Sequence, residues 1–330
     1  MNTKTSAPAV SLRPGPAGEG LPARVAYSAR TRATRWASAH LAFLNRLGAR
    51  FTVRDLFSTP GDTLLTATLC RHLKQRHPRL RLNLVTKNAA LLLHDPHLSE
   101  INGPPGLFVF DFWYLDIQQR RDRATNILAP AIAALGLGPL DYRARVYLTE
   151  AERADARVRL AALPRPLIAF NTLSAQPVKN WPLPRWNALL PELAKRGTLL
   201  QLGDDREPTL PGVSRFAGTL SLRESMAVLA ECAIHLGPDS FLMHAANGLD
   251  VPSVIIFGGS RTPANLGYAA NRNLFAELPC SGCWLTGHPG SECPYDLACM
   301  AAITPAAVLQ AADDLLLSRS PIIAGRAAAP

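Results

Sequence analysis

The sequence predicts an α/β protein built on two parallel sheets that face one another. Three observations carry this. Short apolar, β-branched runs alternate with helical stripes through both halves of the chain. At 330 residues it is long for one core, and nearly half its residues are apolar, enough for two. A Pro-flanked link at Pro164 and Pro166 separates two such alternating series. The expected division is a disordered segment over 1–23, an N-terminal domain over 24–160 and a C-terminal domain over 161–330.

Residues 1–23 are rich in Pro, Gly, Ala and Ser and poor in large apolar residues, so disorder is expected. They lack the apolar core of a secretory signal. Residues 24–50 scatter Arg24, Arg30, Arg32 and Arg35 around Trp36, as a helix that touches a membrane surface or, the preferred reading, docks on the body would. Phe51 to Ser58 reads as a strand, and Thr59-Pro60-Gly61-Asp62 as the turn after it. Leu64, Leu65, Leu69 and Leu73 form a helical stripe that Pro78 closes. Residues 80–86 alternate as a second strand, so 51–86 is a βαβ unit with Gly61-Asp62 at its first strand end. Ligands of open α/β sheets bind at such ends. A short helix over 89–94, a strand over 107–112, a helix over 120–135 and another over 150–162 follow.

The second half opens with a strand at Leu167–Phe170 and a polar, Pro-rich loop, NTLSAQPVKNWPLPRW. A helix over 186–195, a strand over 198–202 and a helix over 222–231 come next. The element around which the chain is organised is 233–258: strand, turn, helix, turn, strand. Pro238 lacks an amide donor and stops the strand. Asp239 and Ser240 suit a helix N-terminus, and Asn247-Gly248 reads as a C-cap. A helix that starts at a strand end offers amides and a positive dipole end to an anion. A phosphate-bearing ligand is expected there.

Composition excludes several functions. No apolar stretch approaches the ~20 residues that span a bilayer. The net charge of +10 suits an anionic partner. No RNA-reading aromatic motif, zinc-finger spacing or long basic block points to nucleic acid. No G-x-G-x-x-G opens a βα turn, which sets a dinucleotide oxidoreductase aside. A cytoplasmic protein is expected, with loose contact at an inner membrane surface. Of the six cysteines, Cys70 and Cys232 read as buried apolar residues. Cys280, Cys283, Cys293 and Cys299 lie within twenty residues, and four thiolates in a short Gly/Pro-rich loop suit a tetrahedral Zn or Fe site.

Four stretches, PGDTLLTATLCRHLKQRHP, the KNWP of 179–182, QLGDDRE and GPDSFLMHAANGLDVPSVIIFG, occur in order over about residues 51–310. Together they resemble glycosyltransferase family 9, the heptosyltransferase family with the GT-B fold of two facing Rossmann-like domains. The resemblance implies an inverting transfer of a sugar from a nucleotide diphosphate, with ADP-heptose the leading donor and no cofactor for the transfer itself. It implies Asp62 as general base, where the plain alternative is a helix N-cap. It implies Lys179 against the donor phosphates, where the alternative is a solvated loop lysine. Thr172 and Ser174 are candidate phosphate donors. Glu207 matches the acidic residue that binds the donor ribose, with Asp204 and Asp205 as rivals. Asp239, Ser240 and His244 match Asp-Thr-Gly-x-x-His, and His244 serves equally well as a core histidine. Phe241 departs from the pattern's Gly and narrows the sugar pocket. A subset of the family, the autotransporter heptosyltransferases, carries a four-cysteine iron site, and the 280–299 loop is similar in kind. The acceptor is left open among a lipopolysaccharide core or other glycolipid, a protein and a small molecule. Two rivals stand beside this reading: transfer of another hexose, and a non-catalytic sugar-nucleotide or metal-sensing module.

Overall fold

The computed structural model describes residues 40–138, 141–285 and 292–326. The expectations for 1–23 and for the part of 24–50 before residue 40 lie outside those residues. The first helix, α1 (Leu41–Leu47), leads through Gly48, in the left-handed conformation that glycine favours, into β1 (Arg50–Asp55). The elements that follow are α2 (Pro60–Arg76), β2 (Arg81–Val85), β3 (Glu100–Ile101), β4 (Phe108–Phe112), α3 (Leu115–Gln119), α4 (Ala129–Leu135) and α5 (Glu150–Leu160). The second series is β5 (Leu167–Phe170), α6 (Leu183–Leu193), β6 (Thr198–Gln201), β7 (Ser214–Arg215), α7 (Leu222–Ala230), β8 (Ile234–Pro238), α8 (Phe241–Gly248), β9 (Ser253–Phe257), α9 (Pro263–Leu266), β10 (Arg272–Phe275), α10 (Ala298–Ala301) and α11 (Pro305–Arg326).

Two parallel sheets result, ordered β3-β2-β1-β4 and β10-β9-β8-β5-β6-β7. In the first, the chain steps one way from β1 to β2 and β3, then returns to add β4 beside β1. In the second, β6 and β7 extend to one side of β5, and β8 to β10 to the other. Each sheet therefore has one place where the direction of winding reverses: between β1 and β4, and between β5 and β8. Crevices open at the carboxyl ends of strands at such points. β5 and β9 are buried throughout, as parallel strands covered on both faces must be. The apolar cluster around Phe51, Val53, Leu69 and Phe112 continues onto Ile255, Phe257 and Trp284 of the second half.

Three local expectations are corrected. Helix α2 begins at Pro60, so Gly61 and Asp62 lie in its first turn and not in the preceding loop. Thr59 is the N-cap, its hydroxyl accepting the Asp62 amide, and Pro60 needs no amide partner at the first helical position. The helix expected over 120–135 is broken. Asp122 accepts the amides of Ala124 and Thr125 and the Thr125 hydroxyl, and Asn126 accepts the Leu128 amide, so local turns outcompete the helix there. Gly248 is not a left-handed cap but the last residue of α8. A Cβ there would stand 2.9 Å from Val146 Cγ2, so the position needs glycine for close packing.

Candidate active site

A cavity of about 760 Å³ lies where the two reversal points meet. From the first half it is lined by Phe57, Asp62 and Tyr114, and from the second by Lys179, Asp239 and Arg261 among others. Seven of the residues singled out in sequence reach it besides: Ser174, Glu207, Ser240, Phe241, His244 and the rivals Asp204 and Asp205.

The first-half side is set by α2. Asp55, at the end of β1, accepts the Thr63 hydroxyl at 2.7 Å and the Ser58 amide at 2.8 Å, which ties the strand end to the helix. Asp62 is buried in the first turn of α2. Its Oδ2 accepts the Thr59 hydroxyl at 2.6 Å and its Oδ1 accepts the Tyr114 hydroxyl at 2.9 Å. Asp62 is thus not the cap of its helix. Tyr114 follows β4, stacks on Phe57 at 4.3 Å between ring centroids, and is itself buried. Removal from water pushes its phenol far above the usual range, so it stays a donor.

The second-half side centres on β8 and the turn after β5. Lys179 ends a short 3₁₀ turn (Pro177–Lys179). That turn is anchored by Trp181, whose indole donates to the Ile303 carbonyl at 3.0 Å and packs edge-on against Trp186. The Lys179 ammonium lies 2.8 Å from Asp239 Oδ2. Burial, then the neighbouring Arg261 charge, lower its pKa to about 8. Burial opposes the Asp239 charge, but Lys179 and Arg261 outweigh it and hold the carboxyl below its usual range. Ser240 is the N-cap of α8, and its side chain makes no capping hydrogen bond to that helix's first turn. The Ser240 hydroxyl accepts from Asn171 Nδ2 at 3.3 Å. Phe241 is half-buried on the cavity wall.

His244 is buried on α8 and its Nδ1 pairs with the Tyr268 hydroxyl at 2.7 Å. Burial lowers its pKa to about 4, so it is neutral at neutral pH. A Cβ on Gly61 would meet His244 Cδ2 at 2.9 Å, so glycine at 61 lets the first turn of α2 rest on α8. The histidine is therefore both a packed core residue and part of the cavity wall.

Two expectations change on the side of Glu207. Thr172 does not line the cavity. Its amide and hydroxyl both donate to Glu207, the hydroxyl at 2.6 Å, so its donors are spent within the protein. The Glu207 carboxylate also accepts the Leu173 amide at 2.9 Å and Gln201 Nε2 at 3.3 Å. It fixes the loop after β5 as well as facing the cavity. Asp204, its rival, is exposed and paired to Arg206.

Tyr114 and Arg261 are the site residues that sequence reasoning missed. Tyr114 lies two residues past the end of β4 and Arg261 four past the end of β9, and that position was the available signal. Arg261 lies past β9 in Gly258-Gly259-Ser260-Arg261.

The four cysteines of 280–299 lie behind this loop. None is in a disulfide. Cys283 Sγ donates to the Gly259 carbonyl at 3.6 Å, and Cys293 Sγ accepts the Leu297 amide at 3.3 Å. Burial, with Cys280 and Cys283 nearby, raises the Cys299 thiol to about 11. The thiols are thus neighbours, but among the described residues no three His, Cys, Asp or Glu side chains converge in a geometry that would hold a metal. The expected four-cysteine centre is not formed by the side chains as they stand. No helix of the described residues is long and apolar enough to cross a membrane.

Comparison with known proteins bears on this geometry. The profile of glycosyltransferase family 9 (heptosyltransferase) matches residues 122–285, a span that holds Lys179, Glu207, Asp239 and His244 but not Asp62. No curated protein matches the chain. Among solved structures, a family 9 glycosyl transferase from Veillonella parvula DSM 2008 is similar at 19% identity and a TM-score of 0.63, over 82% of this chain and 97% of that one. The E. coli ADP-heptose lps heptosyltransferase II is similar at 17% identity and 0.64, over 82% and 99%. The iron-containing dodecameric glycosyltransferase TibC of enterotoxigenic E. coli H10407 is similar at 19% and 0.63, over 82% and 77%. TibC has also been seen in complex with ADP-D-beta-D-heptose. The fold is that of these GT-B enzymes.

Proposed function

We propose that this chain, a glycosyltransferase of the family 9 (heptosyltransferase) type, moves a heptose from ADP-heptose to a hydroxyl acceptor with inversion at the anomeric carbon. One observation carries the reading: a buried carboxylate, Asp62, and a buried ammonium, Lys179, line one cavity from opposite sheets, each at a reversal point. The known ligand of a similar fold, ADP-D-beta-D-heptose in TibC, supports the choice of donor.

The chemistry follows from the two sides. Asp62 takes the acceptor hydroxyl proton as that oxygen bonds to the anomeric carbon. The bond from that carbon to the diphosphate breaks, and its electron pair leaves on the phosphate oxygen. Attack from the Asp62 side, opposite the phosphate, inverts the centre. Lys179 and the open first turn of α8 at Ser240 offset the charge on the leaving diphosphate. Ser174 adds a hydroxyl at the phosphate side. Glu207 orders the loop after β5 and presents its carboxylate edge to the donor ribose. Asp239 serves as the counter-ion that keeps the Lys179 ammonium in place.

The acceptor reading is a phosphate-bearing glycolipid such as lipopolysaccharide core, met at a membrane surface by a chain of net charge +10. Calorimetry with ADP, UDP and GDP tests the donor. Tighter binding of ADP is expected, and tighter binding of UDP or GDP would move the protein to another sugar. Phe241 on the cavity wall is the observation that favours that second reading.

A structural Fe or Zn at Cys280, Cys283, Cys293 and Cys299 belongs to the same proposal. Cysteine is the right donor type, but holding a metal would require the thiols to turn toward one another. The loop they carry pins the cavity wall, since Gly282 and Trp284 amides donate to the Gly258 and Ser260 carbonyls at 2.8 Å. Elemental analysis of protein made without added metal tests it: about one Fe or Zn per chain is expected, and neither metal present would refute it.

A further inference from the structure

The cavity holds a second buried cation, Arg261, that the transfer chemistry above does not use. The loop that carries it lies against the Lys179 turn, and glycine makes this approach feasible: a Cβ on Gly259 would overlap the Val178 carbonyl. The guanidinium carbon sits 5.5 Å from the Tyr114 ring centroid and 5.0 Å from that of Trp284. Contacts with two aromatic faces hold the planar group in one orientation.

Its hydrogen bonds inside the protein are few and long. Nη2 donates to the Tyr114 hydroxyl at 3.3 Å and Nη1 to Gln176 Oε1 at 3.4 Å. Nη1 is 3.9 Å from Asp239 Oδ2, whereas Lys179 holds that same oxygen at 2.8 Å. The Nε–H is buried with no hydrogen-bond partner among the described residues. Arg261 is 6% exposed and lines the cavity. A buried, unpaired guanidinium donor is costly, and the group that relieves the cost best is an anion such as a phosphate, whose two oxygens accept two parallel bonds. Arg261 also stands between the Asp62–Tyr114 pair and the Asp239–Lys179 pair, where the leaving group and the base must meet.

We propose that Arg261 is a second ligand of the donor diphosphate, taking the sugar-side phosphate on its guanidinium edge. The inference rests on the nucleotide-sugar reading and deepens it. Lys179 and Arg261 then divide the diphosphate between them. The electron pair released when the anomeric bond breaks arrives on the phosphate that Arg261 holds, and Arg261 keeps its protons throughout.

The test is calorimetry of the full chain with ADP and with AMP, which lacks the second phosphate. The parent protein is expected to bind ADP more tightly than AMP. Arg261→Met should weaken ADP by about 10- to 100-fold, the scale of a lost charged hydrogen bond, and leave AMP unchanged. Arg261→Lys should fall between, since it keeps the charge and loses the fork. Unchanged AMP binding also shows that the variant retains its fold. If Arg261→Met keeps the parent preference for ADP, the proposal is wrong. Equal weakening of both nucleotides would make Arg261 a packing residue and overturn it as well. The nucleotide-sugar reading fails by a different sign: a parent protein that binds neither ADP nor UDP, which removes the premise of both.

Discussion

The front and rear walls of the cavity are built alike and wired differently. Each presents a buried aspartate near the start of a helix at the reversal point of a parallel sheet. Asp62, in front, is bonded by two neutral hydroxyls, those of Thr59 and Tyr114. Asp239, behind, faces Lys179 at 2.8 Å and Arg261 at 3.9 Å. Cations fix a carboxylate in its charged form, and Asp239 is held below its usual pKa by them. Hydroxyls steady a carboxylate and can rotate away when a substrate hydroxyl arrives. On the proposed reading, these different partners suit the two aspartates to two roles, Asp62 as proton acceptor and Asp239 as fixed counter-ion.

The contrast is broken most severely by Asp62→Asn. Turnover of ADP-heptose should fall about 10²- to 10⁴-fold while ADP affinity stays unchanged, measured by steady-state kinetics and calorimetry. Lys179→Met acts on the other wall and should weaken ADP itself, by about 10- to 100-fold. Tyr114→Phe sharpens the comparison further: it removes one of the two hydroxyls that steady Asp62, and should lower kcat by about tenfold with little change in ADP affinity. The two walls also separate by pH. Lys179, with its pKa near 8 in the free protein, is charged below that value and neutral above it. ADP affinity should therefore fall as pH rises through about 8. Asp62, Asp239 and Arg261 face the same ammonium. His244, neutral above about 4, does not contribute in that range.

The smallest effect lies away from the cavity. Glu152 bonds Arg223 at 2.6 and 2.7 Å, and this pairing, against some cost of burial, lowers its pKa to about 2. The folded value lies below the unfolded one, so the contribution is present above about 4.5 and is lost as pH falls toward 2. Glu152→Gln should cost about 1 kcal/mol at neutral pH in a denaturant titration, and less in acid.

Much of this architecture was legible because it is local. The 233–258 unit announced itself through Gly237-Pro238, Ser240 and two short apolar runs, and Leu167–Phe170 fell where its pattern placed it. The start of α2 was misplaced because Pro60 reads as a turn residue in isolation, yet behind a Thr cap it opens a helix. The 120–135 helix was lost to the Asp122 and Asn126 turns, which the apolar stripe does not reveal. Asp62 and Lys179 came to attention through motifs, but Tyr114 and Arg261 did not. Their value depends on contact across 147 residues of chain, which no local pattern encodes. Thr172 shows the reverse failure: a hydroxyl at a plausible spacing, already consumed by Glu207.

The most direct test compares binding and consumption of ADP-heptose in the parent protein, Asp62→Asn and Lys179→Met. The account predicts that Asp62→Asn binds the donor as the parent does but fails to consume it, whereas Lys179→Met binds it weakly. Parent-like consumption by Asp62→Asn, or parent-like donor affinity in Lys179→Met, would contradict it.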